Sequence, residues 1–96
     1  MLNNRQKHHL KTLAHASRPV VIIGANGLTE AVMQEIDQAL RHHELLKIRV
    51  NAADRPARLQ IITQITTTLA AELVQHVGHV ATLFRRNPET PRIALD

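Results

Sequence analysis

The stretch Val20-Val21-Ile22-Ile23-Gly24-Ala25-Asn26-Gly27-Leu28-Thr29 decides the fold. Four successive β-branched residues between Pro19 and Gly24 read as a short strand, buried on both faces as in a parallel sheet. The chain then turns through Gly24 to Leu28. Thr29 stands where a helix needs an N-cap, its hydroxyl able to accept from an amide of the first turn. Beyond it Val32, Ile36, Ala39 and Leu40 share one helical face as far as His43. Leu45 to Val50 reads as the next strand, with Lys47 and Arg49 on one side. Strand, glycine turn, helix and strand in that order favour parallel pairing.

The flanks extend this unit. Asn4 to Ala14 are good helix formers, with Asn3 or Asn4 as N-cap and Leu10, Leu13 and Ala14 as a narrow apolar stripe. Lys7 and Lys11 form an i,i+4 pair on another face, and His15 to Pro19 ends the helix. Downstream, Asp54-Arg55-Pro56 is a helix start with proline in the first turn, where its missing amide costs nothing. Leu59, Ile62, Ile65 and Leu69 then recur at helical spacing. Leu73 to Val77 and Val80 to Arg85 read as a hairpin around Gly78-His79. The order is α-β-α-β-α-β-β, an α/β two-layer sandwich with three helices on a four-stranded mixed sheet. One domain is expected over 1–96, with a core at about 3–86 and a short tail at 87–96.

Composition narrows the function. The 96 residues are 44% hydrophobic, enough for one modest core, and no run approaches a membrane helix. The polar N-terminus has no signal-peptide core, so a cytoplasmic protein without membrane contact is expected. The absence of cysteine excludes disulfides, thiolate zinc sites and thiol nucleophiles. Twelve Lys and Arg against eight Asp and Glu leave a net charge of +4. That charge is unevenly placed. Every residue before Glu30 is neutral or basic, with Arg5, Lys7, Lys11 and Arg18 unopposed, while acids gather at Glu30, Glu35 and Asp37. Such patchiness suits a phosphate-facing surface.

Gly24-Ala25-Asn26-Gly27 carries the chemistry. The glycines remove side chains that would hold a ligand off the backbone, and Asn26 tolerates left-handed dihedrals. The following helix start offers unpaired amides and a positive dipole end. By spacing alone the loop is either a ligand-free connection or a cradle for phosphate. It lacks the Lys-Ser/Thr of a nucleotide P-loop, and no dinucleotide glycine pattern occurs. The carboxylates Glu30, Glu35 and Asp37 read as dipole-offsetting or solvated groups, so no enzyme and no small-molecule substrate is expected. The seven histidines include two adjacent pairs, His8-His9 and His42-His43. Neighbours on a helix diverge by roughly 100°, so neither metal nor other cofactor is expected. Phe84 is the single aromatic residue, which excludes RNA-binding folds that stack bases on several rings.

Three segments together resemble a known family. Arg5-Gln6-Lys7-His8-His9-Leu10-Lys11-Thr12-Leu13-Ala14-His15, Pro19 to Thr29, and Ile36 to Lys47 look like the bacterial YhbY family, the stand-alone CRM domain. The resemblance spans the chain and is densest from Arg5 to Val50. It implies a fold similar to the C-terminal domain of translation initiation factor three. It also implies binding to RNA, specifically rRNA of large ribosomal subunit precursors during ribosome assembly; a monomer is the simplest expectation for oligomeric state. The contacts it implies are Gly24, Ala25, Asn26 and Gly27, with Lys7, Lys11, Arg18, Lys47 and Arg85. Where the family often has glycine after its third helix this chain has Ala70-Ala71. Its hairpin turn is Gly78-His79 where Gly-Lys is common, and Phe84 replaces the usual tyrosine. An adaptor that docks on ribosomal proteins through the acidic side of the second helix is the alternative reading.

Overall fold

The computed structural model describes residues 2–95; Met1 and Asp96, the ends of the expected domain and tail, lie outside them. Each helix begins on a short polar side chain that satisfies an amide the first turn leaves open. Asn3 caps α1 (Asn4–Ala14) in a capping box with Gln6. Thr29 caps α2 (Glu30–His43) by accepting from the Val32 amide at 3.2 Å. Asp54 caps α3 (Arg55–Leu69) by accepting from Ala57 at 2.9 Å. The strands are β1 (Pro19–Ile23), β2 (Leu45–Val50), β3 (Glu72–Val77) and β4 (Val80–Phe84).

The sheet order is β1-β2-β4-β3. β1 pairs parallel with β2, as the crossover through α2 requires, and β4 lies antiparallel between β2 and β3. The expected element order and mixed sheet are therefore observed. β3 begins at Glu72, one residue before the expected start, and β4 ends at Phe84, one residue before the expected end.

Alternation along the strands divides the core in two. Val21, Ile23, Leu46, Ile48, Val50, Ala81 and Leu83 face Ile36 and Leu40 of α2 and Ile62 and Ile65 of α3. Ile48, with no exposed surface, lies near the middle of this layer, and its truncation to alanine costs about 2–5 kcal/mol. On the opposite face Leu10 of α1 packs with Leu2, Val74 and Phe84, joined by Leu45, Ile93 and Leu95. α1 thus adds a partial third layer, where two layers were expected. Its stripe is Leu10 and Ala14, whereas Leu13 is exposed.

α1 lies over β2 and β3 and leaves β1 bare on that face. The strand expected to be buried on both sides is an edge strand buried on one: Val20 and Ile22 are 49% and 61% exposed.

The segment expected as a short C-terminal tail is tied to the core by Glu44. This residue ends α2 with φ 61°, and its carboxylate is wholly buried. It accepts from the amides of Asn87, Arg92 and Ile93 at 2.7, 2.8 and 2.9 Å, and from the Arg86 guanidinium at 3.4 Å. Burial alone would raise its pKa, but the three amides and the arginine outweigh it and hold the carboxyl below its ordinary value.

Candidate nucleic-acid interface

The loop 24–27 closes as a tight turn, the Gly27 amide donating to the Gly24 carbonyl at 3.0 Å. Gly27 has φ 71°, so glycine and not Asn26 supplies the left-handed residue of this turn. A Cβ at Gly24 or Gly27 would meet nothing within 4 Å. The fold therefore leaves the loop backbone open to an approaching group. None of the described residues accepts from the amides of Ala25 or Asn26. The start of α2 is less available than the sequence suggests, because Thr29 already holds the Val32 amide and Glu30 follows in the first turn. An anion at this end would be held by loop amides more than by the helix.

The basic residues gather at the other end of β1. Lys47 pairs in register with Pro19, and its ammonium donates to the Ser17 carbonyl at 3.2 Å. That bond brings Lys47 beside Arg18 in the connection from α1. Lys7 and Lys11 sit on one flank of the Leu10–Ala14 stripe, and helical geometry puts Gln6 on the other. Gln6 faces the tail, in a recess shared with Leu2, Glu72, Phe84 and Leu95. Lys7 and Lys11 therefore lie on the flank of α1 opposite that recess. No ion pair forms at Lys7, Lys11, Arg18 or Lys47 among the described residues.

Arg85 does not join them. It follows β4, at the end of the sheet opposite the loop, and points among the helices. Its Nη1 donates to Asp37 Oδ1 at 2.7 Å and to the Leu69 carbonyl at 3.0 Å, while Nη2 donates to the Asp37 carbonyl at 3.0 Å. A guanidinium so engaged serves the fold. Arg85, which the family resemblance implies as an RNA contact, is thus engaged within the fold by these bonds.

Arg49 is basic in the sequence but lies outside the contact set that the family resemblance implies. It stands opposite Ile22 across β1 and β2, and its Nε donates to Asn51 Oδ1 at 3.0 Å. The Asn51 amide in turn donates to the Ile23 carbonyl at 3.0 Å, at the root of the loop. Arg49 is thereby aimed at the loop, exposed and without an acidic partner among the described residues. The alternation of Lys47 and Arg49 was the available signal. What the sequence lacked was that this face of β2 is uncovered. His79, in the hairpin turn, lies at the same end, its Nδ1 3.1 Å from the Val50 carbonyl.

Among the described residues no cluster of three His, Asp or Glu could hold a metal ion, and no helix is long and apolar enough to cross a membrane. An α/β domain with an open glycine loop and an unpaired basic strip along one strand is a class suited to binding polyanions. The comparisons agree and specify it: the CRS1 / YhbY (CRM) domain matches residues 2–85, and the chain belongs to that family. A Haemophilus influenzae relative named RNA-binding protein is 48% identical over 92% of this chain and 89% of its own. A Pseudomonas aeruginosa relative named a probable RNA-binding protein is 36% identical, covering 92% and 85%. The solution structure of a hypothetical Staphylococcus aureus protein, described as a candidate RNA binder, superposes with TM-score 0.85 at 30% identity over all of both chains.

Proposed function

We propose that this protein binds rRNA backbone through Gly24, Ala25, Asn26, Gly27 and the basic face of Lys7, Lys11, Arg18 and Lys47, and does so on large ribosomal subunit precursors. The observation that carries the reading is the open loop at one end of an exposed strand and, at the other, cations that form no ion pair among the described residues. RNA as the polymer is supported by the names of the relatives. The ribosomal address rests on the family resemblance. The protein is read as a monomeric binding module of the cytoplasm, without catalysis. Affinity built on phosphates falls steeply with salt, because each neutralised phosphate releases counterions.

The adaptor alternative is weakened by one contact. Asp37, central to the acidic side of α2, is occupied by Arg85 and also pairs with Arg41 at 3.3 Å. In-cell crosslinking with sequencing of the attached RNA, alongside gradient sedimentation, tests the proposal. Recovery of large-subunit rRNA and cosedimentation with its precursors are expected; absence from all rRNA would refute it.

A further inference from the structure

The loop and the Lys47–Arg18 cluster sit at opposite ends of β1, on the order of 15 Å apart along five residues of extended chain. A single nucleic acid that touches both must cross what lies between. That ground is the uncovered edge of the sheet: Val20 and Ile22 on β1, 49% and 61% exposed, and Arg49 beside them on β2. Apolar side chains this open gain nothing from phosphates, yet cations stand directly among them.

We propose that this face seats unpaired RNA, with bases laid on Val20 and Ile22 while Arg49 and Lys47 hold the adjoining backbone. The inference rests on the RNA-binding reading above and specifies its substrate as single-stranded. Duplex RNA keeps its base faces stacked and offers only ribose hydroxyls and phosphates, so it leaves these side chains in water. An unpaired strand presents base faces, and covering aliphatic surface with them is favourable in proportion to the area removed from water. No aromatic ring is needed for this, which accords with Phe84 being the single aromatic residue and buried beneath α1. A protein partner is disfavoured here. It would have to desolvate Arg49 and Lys47, which no acidic side chain among the described residues pairs with.

The test measures binding of the full chain, by fluorescence anisotropy, to a short unstructured RNA and to the same strand annealed to its complement. The substitutions are Val20→Thr with Ile22→Thr, which keep β-branching at exposed positions, and Arg49→Gln. Unchanged thermal midpoints check the fold. The single strand is expected to bind more tightly than the duplex. The double threonine variant should lose roughly tenfold in single-strand affinity with its salt dependence unchanged, because the lost contact is apolar. Arg49→Gln should reduce the salt slope by about one phosphate contact. RNA binding with equal affinity for both forms, or a threonine variant that binds like wild type, overturns this inference and leaves RNA binding standing. No binding of either RNA sinks the RNA-binding reading and this inference together. A threonine variant that binds both RNAs normally yet no longer cosediments with ribosomal precursors marks the face as a protein contact, and also overturns it.

Discussion

Arg85 and Asp37, 48 residues apart in sequence, meet at 2.7 Å and join the end of β4 to the middle of α2. The same guanidinium reaches the Leu69 carbonyl at the end of α3, so one side chain ties both helices of this layer to the sheet. The pair is mostly shielded, with side-chain exposures of 19% and 28%. Replacing Arg85 by methionine strips Asp37 of its principal partner and should lower unfolding stability by about 2 kcal/mol in urea titrations. RNA affinity, measured where the variant is folded, should stay within twofold of wild type.

Glu44 makes stability acid-sensitive. Its carboxyl pKa is lower in the folded protein than the ordinary 4.5, so the folded state binds fewer protons than the unfolded one. The stabilisation is fully present above that ordinary value and is lost as pH falls through the depressed folded value. Glu44→Gln should flatten stability against pH in this acid range. It should also cost about 2 kcal/mol at neutral pH, since an amide group then meets the donors of Asn87, Arg92 and Ile93. Limited proteolysis should cut the segment 87–95 of this variant sooner.

Ala70 caps α3 in the left-handed region, at φ 53° and ψ 42°, where a Cβ is strained and glycine is not. Ala70→Gly should raise stability by about 0.5–1 kcal/mol, read as a shift in denaturation midpoint with the slope unchanged. A loss of stability would show that contacts of the alanine methyl outweigh the backbone strain.

Local chemistry explains what could be foreseen. Asn3 with Gln6, Thr29, and Asp54 before Arg55-Pro56 are caps whose partners lie three residues away, so short sequence windows contain them whole. The hairpin at Gly78, with φ 58°, is of the same kind. Element order, however, carries no information on which face of the sheet α1 covers, and that choice exposes Val20 and Ile22. The expectation of a doubly buried β1 failed for this reason. Arg85 and Arg49 are both basic residues on strands or at their ends, indistinguishable by type. Only tertiary placement reveals that one is consumed by Asp37 and the other is turned toward the loop. Glu44 was equally illegible, because the amides that hold it come from more than 40 residues downstream.

Gly24 offers the most direct test of the central claim, that RNA is gripped at the backbone of loop 24–27. Its φ lies outside the left-handed range and the space around its Cβ position is open, so Gly24→Leu should leave the unfolding midpoint nearly unchanged. Gly27→Leu would be less clean, since φ 71° adds strain to the folded state. The measurement is RNA affinity of wild type and Gly24→Leu across a salt series. The account requires roughly tenfold or greater loss in the variant, and wild-type affinity that falls linearly on logarithmic axes as salt rises. A folded Gly24→Leu variant that binds RNA as tightly as wild type would contradict it.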